Sequence, residues 1–364
     1  MNLLKYNEIN LNERLQRWDD WWDGKLGRPM FQATVMHPCR AVGWGFVPSL
    51  LKGFNQDKKA FTEAVKNDFD NNIYYAPDSI PQYWPNFGAG SLAPMVGGEA
   101  KVAPESIWFE QGKWKDIPLD QISLRFNPED EYLRQICEIY ALLTEKLAGK
   151  IVFGHPDQGG VMDVLSSIRG AEQLLVDLYD DPDSVHRLVK EEVDAWIGAY
   201  QYIRKQFDHA SPGSGCWAGF FSAKKAYVVQ SDFSYMISPD MFKEFVVPGL
   251  TRVCQFLDRS IYHLDGIPQI QHLPHLFKVP NLYGIQWIPG AGNPEPGEWL
   301  EEVYAPINEA NVKVQLMACS LKSMRKVLKY MKHPENAVIL CSCMDTDTEI
   351  LSEMEKLMID YGAI

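Results

Sequence analysis

The chain has 364 residues, of which 46% are hydrophobic and 23% are charged, a composition typical of a globular protein and not of a disordered one. Its formal net charge of −13 argues against nucleic acids and anionic membranes as partners, because both require a basic surface. No apolar run approaches the roughly 18–20 residues of a membrane span, and Met1–Asn12 lacks a hydrophobic signal core, so we expect a cytoplasmic protein.

Residues 1–28 predict a helical cap, because charged residues interleave there with Leu15, Trp18, Trp21 and Trp22 at helical spacing. Short apolar runs then alternate with amphipathic stretches. We predict strands over Met30–Met36, Asn72–Ala76, Lys150–Gly154, Gly215–Gly219, Ala226–Gln230, Ser260–Leu264, Tyr283–Ile288, Lys313–Met317 and Ala337–Leu340. We predict helices over Pro128–Ala148, Asp163–Ile168, Ala171–Tyr179, Pro182–Phe207, Pro239–Leu257, Ile267–Phe277, Glu298–Glu309, Leu321–Met331 and Asp347–Tyr361.

This alternation, repeated about eight times, favours a parallel sheet with right-handed crossovers. In a chain of this length it predicts one α/β domain over residues 1–364, a closed (β/α)8 TIM barrel with residues 1–28 as an N-terminal extension. Pro77–Gly112 would be a long loop excursion after strand 2. An open doubly wound sheet is the alternative, but the chain after Met36 has no glycine-rich dinucleotide turn.

Polar side chains follow nearly every predicted strand. Because the chemistry of such barrels collects at the carboxyl ends of the strands, we expect these residues on one rim. They are His37, Arg40, Asp78, His155, Asp157, Trp217, Asp232, His263, Asp265, Gln286, Trp287, Cys341 and Cys343.

His263 and Asp265 lie two apart on a strand, so both side chains should point the same way. An imidazole and a carboxylate at that spacing suit a divalent ion or a proton relay. Cys341 and Cys343 have the same spacing, and thiolates favour zinc, so a His and a Cys from two strands predict a three-ligand site with one open position. The alternative interpretations are a core histidine, a helix-capping aspartate and buried apolar cysteines.

Asp78 follows the second predicted strand and is a candidate acid, base or holder of a cationic group, with a turn residue beside Pro77 as the alternative. We expect substrate contacts from eight of the other rim residues, with aromatic residues building a pocket for a planar or methyl-bearing ligand. These eight are His37, Arg40, His155, Asp157, Trp217, Asp232, Gln286 and Trp287.

Several short motifs resemble the uroporphyrinogen decarboxylase superfamily, whose members are (β/α)8 barrels. The motifs are Asn86–Gly90, Asp177–Pro182, Ile237–Phe245, Tyr262–Gly266 and Ile285–Trp287. The resemblance runs from Arg28 to the C-terminal helix, and it implies either of two chemistries.

The decarboxylases of this superfamily need no cofactor, and their essential aspartate falls at Asp78. Their arginine-rich run after strand 1 is reduced here to Arg40, and their final Gly-His-Gly reads Cys341-Ser342-Cys343. A tetrapyrrole with many carboxylates needs several cationic donors, so we expect no useful uroporphyrinogen decarboxylation.

The zinc-dependent methyltransferases of the superfamily work with methyl-corrinoid proteins and thiols. Their His-x-Cys-Gly motif matches His263 and Gly266, with Asp265 in place of the cysteine, and their late cysteine matches Cys343. The resemblance implies zinc held by His263, Asp265 and Cys343, with Cys341 beside them. It also implies a small methylated donor or a corrinoid on a partner protein, and a thiol acceptor.

We therefore expect a methyltransferase-like enzyme that acts on a small molecule. The alternatives that stay open are a cofactor-free carboxy-lyase and a non-catalytic ligand-binding barrel. Each of these three interpretations is compatible with a homodimer.

Overall fold

The computed structural model describes residues 1–39, 47–104 and 106–364. Its strands are β1 (Met30–Met36), β2 (Ile73–Tyr75), β3 (Gln82–Tyr83), β4 (Glu99–Val102), β5 (Ile107–Glu110), β6 (Val152–His155), β7 (Ser214–Cys216), β8 (Phe221–Ser222), β9 (Ala226–Gln230), β10 (Arg259–Asp265), β11 (Gly284–Ile288), β12 (Lys313–Leu316) and β13 (Ala337–Met344). Most core strands are buried along their whole length, as expected for parallel strands covered by helices.

The helices are α1 (Leu11–Trp22), α2 (Val47–Gln56), α3 (Lys58–Asn67), α4 (Leu92–Met95), α5 (Glu131–Leu147), α6 (Asp163–Arg169), α7 (Ala171–Asp180), α8 (Pro182–Phe207), α9 (Pro239–Met241), α10 (Val247–Phe256), α11 (Leu273–Leu276), α12 (Ala305–Ala310), α13 (Leu321–Tyr330) and α14 (Thr348–Asp360). The long helix α8 begins at Pro182 behind Asp181, whose side chain accepts a hydrogen bond from the amide of Ser184. No helix in the described part of the chain is long and apolar enough to cross a bilayer.

Two sheets form the centre of the fold. The larger has the order β2-β1-β13-β12-β11-β10-β9, and the smaller has the order β3-β6-β7-β8. Neighbours from β1 through β13, β12, β11 and β10 to β9 all pair in parallel. The prediction of a mostly parallel α/β architecture is confirmed.

Within the described ranges, the backbone ladder does not run unbroken around a closed eight-stranded barrel. Side chains bridge the seams instead. The Gln32 amide donates to the Ile80 carbonyl at 2.9 Å and accepts from the Ile80 amide at 2.8 Å. Ser214 Oγ contacts the backbone nitrogen of Ala226 at 3.3 Å. Two prolines, Pro77 and Pro81, lack backbone donors, so the segment that contains them cannot form a regular ladder.

The second predicted strand differs from the expectation in direction. β2 pairs antiparallel with β1, whereas the parallel neighbour of β6 is the short β3. Two helices, α2 and α3, lie between β1 and β2, and the additional helix reverses the chain once more. The predicted excursion 77–112 also contains order, because β4 and β5 form an antiparallel hairpin.

The N-terminal helix α1 covers the amino-terminal ends of the strands. Its Trp21 indole donates to the Glu335 carbonyl just before β13, and its Trp21 carbonyl accepts from the Nζ of Lys313 at the start of β12. Trp18 and Trp22 are buried beside it. With one end covered in this way, the carboxyl ends of the strands remain to form a site.

Candidate functional site

A row of polar side chains crosses four neighbouring strands of the larger sheet. His263 on β10 is in register with Gln230 on β9 and with Gln286 on β11, and Gln286 is in register with Gln315 on β12. Side chains opposite one another in parallel strands share a face of the sheet, so these four form one transverse layer. The three glutamines are buried, and His263 is partly buried.

Two carboxylates lie one step nearer the strand ends than this layer. Asp265 is the last residue of β10, and Asp232 opens the turn after β9. One potential ligand atom from each of Asp232, His263 and Asp265 lies within 4.8 Å of the other two. His263 Nε2 and Asp265 Oδ2 are 3.8 Å apart. The adjacency of β9 and β10 therefore brings together two carboxylates and an imidazole.

Further acidic groups surround this cluster. Burial raises the pKa of Asp157 to about 6. Burial, and next the charge of Asp232, raise the pKa of Asp163 to about 7. Asp232 is exposed to solvent in the cleft, yet the protein packed around its carboxyl group, followed by the charges of Asp157 and Asp265, raises its pKa to about 7. Near neutral pH these carboxyl groups are therefore partly protonated, and a bound cation would stabilise their charged forms.

Two cavities border the cluster, and a third lies beside Trp217. A cavity of about 430 Å³ is lined by Asp232, Asp265 and Asn293, and one of about 420 Å³ lies on the other side of Asp232, below the β4–β5 hairpin. The third, of about 640 Å³, is lined by Trp217 and mainly by apolar and sulfur-bearing side chains, and we call it the sulfur pocket. Its other lining side chains include Met317, Cys319, Leu340, Cys341 and Met354.

Trp217 connects the sulfur pocket with the acidic cluster. Its ring packs edge-on against the imidazole of His263, with the centroids 5.2 Å apart and the planes at 83°. This contact restricts rotation of the imidazole. It also places an aromatic surface between the acidic cluster and a largely apolar cavity.

Asp78 lies outside this cluster, at the amino-terminal end of the strands. Its carboxylate is fully buried, with Arg28 donating at 2.6 and 2.8 Å and Arg17 donating at 3.0 Å. Arg28 stands just before β1, so Asp78 faces the end that α1 covers. The expectation of a catalytic Asp78 on the rim is corrected: both of its oxygens are engaged in an ion cluster that ties α1 to the sheet.

Cys341 and Cys343 are also absent from the ligand cluster among the described residues. Both are buried, and burial raises the pKa of each thiol, that of Cys341 to about 12. Side chains alternate between the two faces of β13. The side chain of Leu340 faces Gly219, next to Trp217, so those of Cys341 and Cys343 lie on the opposite face. The expected ligation by these cysteines is therefore corrected, because β13 is also separated from β10 by β11 and β12.

Three other predicted contacts lie away from the cluster. His155 is fully buried and stacks on Tyr200 with centroids 3.8 Å apart, and burial lowers its pKa well below the usual range. Trp287 is buried against Trp299, on the opposite side of β11 from Gln286. His37 is half-buried, with Nε2 at 4.0 Å from Asp345. Because the side chains of His155 and Trp287 are buried, they cannot contact a substrate in the cleft. The predicted contact from Arg40 lies outside the described residues.

Sequence reasoning missed Asp163, Gln230 and Gln315. Asp163 accepts hydrogen bonds from the amides of Gly160 and Phe233, at 3.0 and 2.9 Å, and so joins the loop before α6 to the turn after β9. The two glutamines interrupt apolar strands, and a polar residue at a buried strand position is the signal that would have found them.

Gly160 packs directly against the end of β9. A methyl group there would lie 2.0 Å from the Gln230 carbonyl oxygen. We expect Gly160→Ala to lower the free energy of unfolding by about 2–4 kcal/mol, because backbone must shift to relieve the clash. Urea denaturation would measure the loss, and a Gly53→Ala control tests the effect of an added methyl group where there is open space and no positive φ. Equal stability of the Gly160→Ala variant and the wild type would contradict the packing described.

No protein-family model matches this sequence, and no curated protein matches it either. Among solved structures, the fold is similar to that of a methyltransferase from Methanosarcina mazei, with a TM-score of 0.62 at 9% sequence identity. The match covers 94% of this chain and 98% of that one. At this identity, the likeness shows a shared fold.

Proposed function

We propose that this protein is a metal-dependent, methyltransferase-like enzyme whose ion is held by Asp232, His263 and Asp265. The observation that carries the proposal is the convergence of three potential ligand atoms within 4.8 Å of one another at the carboxyl ends of adjacent strands. The fold shared with a methyltransferase supports the reaction class.

The residues fit a divalent ion. The Nδ1 atom of His263 is engaged by Gln286 Oε1, which leaves Nε2 facing the two carboxylates. Zinc accepts imidazole nitrogen and carboxylate oxygen, and catalytic zinc sites use three protein ligands and one open position. Tetrahedral zinc ligands stand about 3.4 Å apart, so the three side chains need only a small inward adjustment from their present spacing.

The donor set has one nitrogen and two oxygens. It is harder than a set with thiolates, and two carboxylates balance the charge of a divalent ion. When bound, zinc would lower the pKa of a substrate thiol at the open position and so supply a thiolate nucleophile at neutral pH. In the proposed reaction the sulfur–methyl bond forms as the donor's bond to that methyl group breaks, the electrons of the broken bond stay with the donor, and the thiol proton passes to water.

The chain supplies the surroundings of this reaction. Trp217 shields one side of His263, and the adjoining sulfur pocket has room for the apolar part of a methyl donor or acceptor. A methyl-corrinoid on a partner protein is the donor that we propose first, and a small methylated molecule is the second. A decarboxylase built on Asp78 has no support, because that carboxylate is buried with Arg17 and Arg28.

Metal content tests the site directly. We expect chelator-stripped protein to take up one Zn²⁺ per chain, and Asp232→Asn to weaken that binding by more than about 10-fold because the amide is a poor ligand. Equilibrium dialysis with elemental analysis would measure both. Cys343→Ser and Asp240→Asn serve as controls that keep the metal. Uptake unchanged in Asp232→Asn, or lost in Cys343→Ser, would contradict the assignment.

The activity is tested with methylcobalamin and 2-mercaptoethanol under anaerobic conditions. Formation of the methyl thioether should require Zn²⁺, should stop after chelation and should return on reloading. Metal-independent decarboxylation of uroporphyrinogen by the same preparation would overturn the proposed function.

A further inference from the structure

A chain of buried side-chain amides leads from the sheet interior to His263. Gln315 Nε2 donates to the backbone carbonyl of Ala218 at 2.5 Å. Gln286 Nε2 donates to Gln315 Oε1 at 2.6 Å, and Gln286 Oε1 contacts His263 Nδ1. Both glutamines are 0–1% exposed, so water does not compete for these hydrogen bonds.

The chemistry of the last acceptor sets the direction of the chain. A backbone carbonyl can only accept a hydrogen bond, so Gln315 must turn its NH2 group towards Ala218 and its oxygen towards Gln286. The Gln315 oxygen needs a hydrogen-bond donor, and the NH2 group of Gln286 supplies it. The oxygen of Gln286 is then the atom that faces His263. The sulfur of Met317, 2.9 Å from Gln286 Nε2, favours the same orientation, because a thioether is an acceptor.

His263 Nδ1 therefore meets an acceptor within hydrogen-bond distance, whereas the Asp265 oxygen is 3.8 Å from Nε2, beyond that distance, so in the neutral ring the proton belongs on Nδ1. We propose that Gln286 and Gln315 act as positioning residues which hold neutral His263 as its Nδ1–H tautomer, with the Nε2 lone pair exposed to Asp232 and Asp265. Free histidine favours the opposite tautomer, in which a proton would occupy the ligand atom. The use of Nε2 as a metal ligand rests on the proposed function, whereas the tautomer does not.

The tautomer is read from nitrogen chemical shifts in metal-free, full-length protein with ¹⁵N-labelled histidine, followed upwards in pH until the His263 shifts no longer change and the ring is neutral. The His263 signals are those that disappear in His263→Gln. We expect Nδ1–H in the wild type and a shift to Nε2–H in Gln286→Leu, which removes the acceptor.

Two further variants separate this effect from a general disturbance of the core. Gln286→Glu also loses the NH2 group that serves Gln315 and Met317, but it keeps an acceptor for Nδ1–H and should preserve the wild-type tautomer. Gln32→Leu removes another buried glutamine, one that bonds to the Ile80 backbone, and should leave the His263 signals unchanged. Nε2–H in the wild type, or equal shifts in the Leu and Glu variants at position 286, would overturn the proposal.

Metal affinity gives the second measurement. Gln286→Leu should weaken Zn²⁺ binding by about 10–100-fold, the usual loss when the partner of a ligating histidine is removed. If the tautomers follow the expectation and no variant or wild type binds Zn²⁺, the proposed function fails while the role of the amide chain stands. If Zn²⁺ binds and Gln286→Leu neither changes the tautomer nor weakens binding, the amide chain is refuted and the metal site stands.

Discussion

Replacing His263 with alanine is expected to abolish metal binding and methyl transfer together. The imidazole is the one nitrogen ligand in the cluster, and the remaining carboxylates of Asp232 and Asp265 would hold an ion only weakly. We expect Zn²⁺ affinity to fall by more than about 100-fold, beyond the range typical of residues that only support a ligand. Titration with Zn²⁺ and the methylcobalamin assay would measure the two losses on the same preparation.

His333→Ala is the matched control. His333 is exposed on the surface, where its ring contacts Glu335 at 3.0 Å, far along the chain from the cluster. It should keep both the metal and the activity. Full zinc content in His263→Ala would show that an ion is held elsewhere, and the pair His263 and Asp265 would then be better interpreted as a proton-transfer pair.

Replacing Asp78 with alanine is expected to destabilise the fold and to leave the metal site intact. The carboxylate is fully buried between Arg17 and Arg28, and its removal leaves two guanidinium groups partly buried without their counter-charge. Breaking a buried pair typically costs 3–5 kcal/mol, and because both arginines keep some solvent exposure we expect about 3 kcal/mol here. Urea denaturation measures the loss.

Zinc content measured below the unfolding transition should equal that of the wild type in Asp78→Ala. Glu13→Ala is a suitable control, since it removes an exposed partner of Arg17 and should cost at most about 1 kcal/mol. Wild-type stability in Asp78→Ala, combined with loss of activity, would restore the catalytic interpretation of this residue.

The strands that sequence predicts best are those whose apolar runs are bounded clearly. Met30–Met36 and Ala226–Gln230 have the predicted limits, because burial on both faces produces continuous hydrophobic runs. The short β3, by contrast, has only two residues and lies between prolines and aromatic residues, so it carries no such signal.

The site was harder to predict because it depends on strand order and on alternation within a strand. The pairing of Gln230 with His263 places Asp232 beside Asp265, and nothing in the local sequence specifies that neighbour. Cys343 lies within β13, whose predicted end at Leu340 is four residues too early, so the face of its side chain could not be assigned. A shift of one residue moves a side chain to the other face of a sheet.

The last strand of the chain occupies an inner position of the larger sheet, between β1 and β12, and this has a consequence for folding. Met30 pairs with Val338, about 300 positions further along, and contacts of such long sequence separation form slowly. Until β13 arrives, the apolar β1 presents an unpaired edge that can recruit strands from other molecules. Refolding should therefore be slow and sensitive to protein concentration, and the yield should improve on dilution.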